Sequence, residues 1–103
     1  MDSDEIVYDA LDFFGLEKQS IVIIEEMAEL TKAITKQHRA PGPFGFSDSM
    51  LEECADVHIM MRQMYYAMND EDARKYHAFY VQKLKRLAGI VGTDIEEVDV
   101  NGE

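Results

Sequence analysis

The sequence predicts an all-α fold, a module of four helices, on three observations. Apolar residues recur at three-to-four spacing along most of the chain, capping and helix-ending residues fall between those stretches, and no segment alternates as a paired strand does. Only one interior segment, His38-Arg39-Ala40-Pro41-Gly42-Pro43-Phe44-Gly45-Phe46, is dense in breakers, and it separates two long helical patterns. The β-branched run Ile21 to Ile24 is embedded in a longer helical pattern and is read with it. Four helices with short links indicate a bundle-like architecture.

The first helix is expected from about Asp4 to Phe14, carrying Ile6, Val7, Ala10, Leu11 and Phe14, with Gly15 as its stop. The second, from about Gln19 to Gln37, sets Ile23, Met27, Leu30 and Ile34 at helical spacing. Its first turns are apolar nearly all round, which requires either a deep position between neighbours or a second chain over the outer side. The third begins near Ser49, where Ser49-x-x-Glu52 has capping-box form, and runs to about Met68 through Val57, Met60, Met61 and Met64. Asn69-Asp70 then cap a fourth helix, from about Glu71 to Ala88, which carries Tyr76, Phe79, Tyr80, Leu84 and Leu87 and is ended by Gly89. Residues 1–92 read as one all-α domain. Residues 93–103 read as an acidic tail expected to fray, in which Thr93-x-x-Glu96 has the form to start one more turn.

Composition bounds the function. A 103-residue chain, 47% apolar, is globular, but alone it encloses only a modest core, a further reason to expect a homo-dimer or homo-tetramer. A net charge of −11, with only ten Lys and Arg and no basic run, argues against a nucleic-acid polymer as partner. The acidic start Met1-Asp2-Ser3-Asp4-Glu5 is unlike a secretory signal, no stretch is long and apolar enough for a membrane, and the single Cys54 has no internal disulfide partner. A cytoplasmic, reducing location is expected.

Two acidic pairs stand out. Relative to Glu26, the side chains of Val22, Leu30 and Ala33 lie within about 40° around the helix and Glu29 about 60° away. On the third helix Val57, Met60 and Met64 lie within about 40° of Glu53, with Asp56 one turn along. Four carboxylates thus project from faces that should pack together. Their burial without partners costs several kcal/mol each even after relaxation, and the flanking residues are Val, Leu, Met and Ala rather than Lys or Arg. Protonation and basic partners are routes to neutrality, but a divalent cation is the more economical one. An all-oxygen set of Glu and Asp suits Mg²⁺ or Mn²⁺. Glu25 and Glu52 point about 100° away, toward the edge of the stripe.

The segments Glu25-Glu26-Met27-Ala28-Glu29-Leu30 and Glu52-Glu53-Cys54-Ala55-Asp56-Val57, with twenty-three residues between Glu29 and Glu53, resemble the MazG-type all-α nucleoside triphosphate pyrophosphohydrolase superfamily. Its signature is Glu-x-x-Glu followed after a variable gap by Glu-x-x-Asp. The resemblance covers roughly residues 19 to 88. It implies a helical module that dimerises or tetramerises, with Glu26, Glu29, Glu53 and Asp56 as magnesium ligands and catalytic carboxylates. It also implies hydrolysis of a nucleoside triphosphate between its α- and β-phosphates, giving a nucleoside monophosphate and pyrophosphate. Two features depart from the pattern. Several relatives carry a Tyr one turn after the final Asp, where this chain has Met60, and many place a Lys and an Asn on the last helix, where this chain has Lys83, Lys85 and Arg86 but no Asn.

Lys32 and Lys36, one and two turns beyond Glu29, and Lys83 and Arg86 on the fourth helix are the candidates for contacts to phosphate oxygens. Phe44 and Phe46 are either a lid for a base or a turn tucked onto the core. His38, His58 and His77 show no metal spacing with the acids, which disfavours a di-iron carboxylate bundle built on Glu-x-x-His. The competing function is a catalytically silent helical oligomer that binds nucleotide or a protein partner.

Overall fold

A computed structural model describes residues 1–93, and those residues are all-helical, in four helices with no strand among them. They are α1 (Ser3–Phe14), α2 (Leu16–Arg39), α3 (Asp48–Ala67) and α4 (Asp70–Val91). Two compact units divide the chain, Met1–Ala67 with α1, α2 and α3, and a second from Met68 that contains α4. The expected turn at Thr93-x-x-Glu96 lies outside the described residues apart from its first member.

In the first unit, α1 starts where the Asp2 carboxylate accepts from the Glu5 backbone N–H at 2.9 Å, with Asp4 and Glu5 in its first turn facing the positive end of the helix dipole. Gly15 ends it at φ 85°, ψ 152°. The same glycine opens α2, because its N–H donates to the Leu11 carbonyl at 2.8 Å and its carbonyl accepts from Gln19 at 3.1 Å. The second helix therefore begins at Leu16, three residues ahead of the expected Gln19, and it runs on to Arg39, with Lys36, His38 and Arg39 suiting the negative end of its dipole.

The capping box expected at Ser49 does not form. Ser47 is the cap: its Oγ accepts from Met50 N–H at 3.1 Å and its carbonyl takes the first helical bond, from Leu51, at 3.1 Å. A cap two residues earlier brings Asp48 into the first turn and leaves Ser49 helical.

The long helices α2 and α3 pack on each other, and α1 lies against both. Val7, Ile23, Ala33, Met50 and Met60 form the buried apolar core of this unit. The first helix is also fastened to α3 by polar contacts: Arg62 pairs with Asp4, Tyr66 donates its hydroxyl to Asp4 at 2.6 Å, and Tyr8 stacks on Tyr66 with ring centroids 4.4 Å apart. On the apolar first turns of α2, Ile21 and Ile24 are 57% and 62% exposed in the single chain.

In the second unit, Asn69 caps α4 by accepting from Asp72 N–H at 2.8 Å, and Lys75 pairs with Glu71 one turn back at 3.2 Å. The helix does not stop at Gly89. A glycine inside a helix costs about 1 kcal/mol relative to alanine but does not forbid the conformation, whereas Gly92 takes the left-handed φ of 75° and returns its N–H to the Ala88 carbonyl. No helix among the described residues is long and apolar enough to cross a membrane.

Candidate metal centre

The antiparallel packing of α2 on α3 brings three of the four predicted acids together. Glu26 from α2 and Glu53 and Asp56 from α3 each offer a carboxylate oxygen, and these oxygens lie within 4.8 Å of one another. All three residues are half-buried, Glu26 between the buried Ile23 and Ala33 on its own helix and Asp56 one turn before the buried Met60. The helix periodicity that put Glu26 and Glu53 inside apolar stripes is what delivers them to one seam.

Partial burial and mutual repulsion raise the affinity of the group for positive charge. Desolvation, followed by the charges of Asp56 and Glu53, a hydrogen bond with Asp56 and the charge of Glu25, holds the Glu26 carboxyl above the ordinary glutamate range. Glu53 is pushed up by desolvation first, then by the charges of Asp56, Glu29 and Glu52. Glu29 is exposed and lies outside the three-oxygen group, yet it is near enough to act on Glu53. Glu25 and Glu52, also exposed, add to the field from the rim.

No lysine or arginine neutralises these acids among the described residues, where the ion pairs are Arg62 with Asp4 and Lys75 with Glu71. The donor set fits a hard divalent cation. Oxygens bound to one Mg²⁺ at about 2.0–2.1 Å stand at most about 4.2 Å apart, and the three oxygens already lie within 4.8 Å of one another.

The remaining candidates fall in different places. Lys32 and Lys36 stand exposed on α2, on the C-terminal side of Glu29, and Lys83 and Arg86 stand exposed on α4 in the second unit. Phe44 and Phe46 are exposed in the loop after α2 rather than tucked into the core, and the Phe44 ring packs against His38 with centroids 4.4 Å apart. None of the three histidines joins the carboxylates. Met60, at the position where the resemblance expects a tyrosine, is a buried core residue.

The sequence reading passed over Gln19 and Gln63, the two buried polar residues of the first unit, which bond to each other across the seam. A signal was available, since Gln19 lies seven residues before Glu26 and Gln63 seven after Asp56, each on the stripe of its acid. Arg62 and its partner Asp4 gave no such signal, as they stand 58 residues apart on different helices.

Compared with family models, curated proteins and solved structures, the chain matches none.

Proposed function

We propose that this chain is a magnesium-dependent nucleoside triphosphate pyrophosphohydrolase acting in the cytoplasm as a homo-dimer or homo-tetramer. The observation that carries the reading is the convergence of Glu26, Glu53 and Asp56 from two facing helices, with no ion pair to a basic side chain among the described residues. The resemblance of the two acidic segments to the MazG-type superfamily supplies the reaction class. Exposed Ile21, Ile24 and Met27 on α2 give a second copy apolar surface to cover.

Glu26, Glu53 and Asp56 would hold Mg²⁺ or Mn²⁺, with Glu29 joining from the rim. A bound cation supplies charge neutralisation for the phosphate chain and a more acidic water. Water attacks the α-phosphorus, the bond from that phosphorus to the bridging oxygen breaks, and pyrophosphate leaves with the electron pair. The proton of the attacking water passes to a carboxylate, for which Glu25, exposed beside Glu26, is available along with the four acids. Lys32 and Lys36, on the same helix as Glu26, are assigned to outer phosphate oxygens, where exposed cations lower the repulsion between substrate and acids.

The test is a panel of ribo- and deoxyribonucleoside triphosphates incubated with purified chain and Mg²⁺, products being separated by ion exchange. A monophosphate and pyrophosphate from at least one of them is the expected result. Orthophosphate without pyrophosphate, or no turnover of any member, overturns the reading.

A further inference from the structure

Gln19 and Gln63 are 5% and 3% exposed, one amide from each of the two long helices. Gln19 Nε2 donates to Gln63 Oε1 at 2.8 Å, and Gln63 Nε2 lies 3.6 Å from Met60 Sδ. On each helix the amide and the acid are seven residues apart, two turns along nearly one face. Gln19 with Gln63, and Glu26 with Asp56, therefore obey a single antiparallel register. Glu29 and Glu53 fall into it three residues further on.

The apolar side chains of the seam have little means of choosing this register. Ile23, Ala33, Met50 and Met60 gain by leaving water, an effect without direction, and flexible methionines fill many arrangements comparably well. An amide pair is directional. Sliding α3 by one turn, about 5.4 Å, would leave both amides buried and unbonded, a desolvation with no return. Single buried polar residues fix register in coiled coils in this way.

We propose that the Gln19–Gln63 pair is the register pin of the α2–α3 seam, two positioning residues that set Glu26 opposite Asp56. The consequence for a cation rests on the function proposed above, whereas the register itself does not, and the two are measured separately.

Register is read by double electron–electron resonance between spin labels on the native, exposed Cys54 and on Glu17→Cys, with the labelled chain diluted into unlabelled chain. Mn²⁺ affinity is read on the same preparations by titration. In the otherwise unaltered chain a single narrow distance is expected. In the Gln19→Leu/Gln63→Leu variant, whose leucines keep the volume but lose the direction, the distribution should broaden or gain a component displaced by about one turn, or about 5 Å. Mn²⁺ affinity should fall on the order of tenfold, as when a group supporting a metal ligand is lost. Gln63→Glu with Gln19 intact, which keeps an acceptor for Gln19 Nε2, should retain the narrow distance. A double-leucine variant that keeps the original narrow distribution overturns the pin. If that variant does not fold, Gln63→Met alone is read in the same way, and an unchanged distribution there has the same meaning. A chain that binds no Mn²⁺ even with Gln19 and Gln63 intact counts against the metal reading only.

Discussion

Two polar insertions interrupt the same apolar seam, two helical turns apart, and they are resolved in opposite ways. At the Gln19 end the groups are neutral, almost fully buried and bonded to each other. At the Glu26 end they are acidic, half-buried, gathered within 4.8 Å, and without an ion pair to a basic side chain among the described residues. The amide pair is complete within the chain. The acid group has no such internal partner, and its members raise one another's energy. A seam that could place an amide pair at one level could have placed one at the other, so the acids stand out as a feature kept against the stability of the isolated chain.

The largest effect expected from breaking this contrast is at the acid end. Glu53→Gln should remove Mg²⁺-dependent turnover, and it should lower Mn²⁺ affinity by more than the roughly 10–100-fold that loss of a supporting partner costs. Circular dichroism should show the helices unchanged. An unaltered rate in this variant would remove Glu53 from the site. At the amide end the effect is on stability: Gln63→Leu leaves Gln19 buried without its acceptor and should cost about 1–3 kcal/mol in urea unfolding. The double leucine variant should recover most of that loss, and a double variant as unstable as the sum of the singles would show that the two amides are not coupled.

How much of this was legible in the sequence follows from what each feature depends on. The four helices, the Asn69 cap and the three converging acids rest on local periodicity and on side chains within a few residues of one another, and both are written along the chain. The ends of α3 and α4 were misread because two candidates competed within three residues. Ser47 against Ser49 and Gly92 against Gly89 are choices made by the backbone conformation of the loop, not by residue type. The Asp4–Arg62–Tyr66 fastening and the Gln19–Gln63 bond depend on how helices dock, and only the second left a trace, through its seven-residue offset from the acids.

A smaller set of effects separates the acids by pH. Glu26 and Glu53 have folded values above the ordinary range, so the folded chain holds protons that the unfolded chain has released, and without metal its stability falls as pH rises through that interval. Asp4 has the opposite sign. Its value is lowered, first by the Tyr66 hydroxyl, which outweighs the opposing effect of desolvation, and then by the hydrogen bond and charge of Arg62, so its contribution is present above the ordinary aspartate value and is lost as pH falls through the lowered one. Urea midpoints of the metal-free chain should therefore peak at mildly acid pH. Glu26→Gln should flatten the decline on the alkaline side and Asp4→Asn the decline on the acid side. If Glu26→Gln leaves the alkaline side as steep as before, the repulsion within the group is too weak to matter.

The level spacing along the α2–α3 seam also decides where the chain tolerates a change of length. Residues added among Pro41, Gly42 and Pro43 lengthen a loop that neither end of the seam depends on. One residue added between Gln19 and Glu26 turns everything on one side of it by about 100° relative to the other, so the amide and the acid no longer share a face. The helix between them behaves as a ruler marked in whole turns: exposed positions such as Ile21 and Ile24 are open to exchange, its count is not.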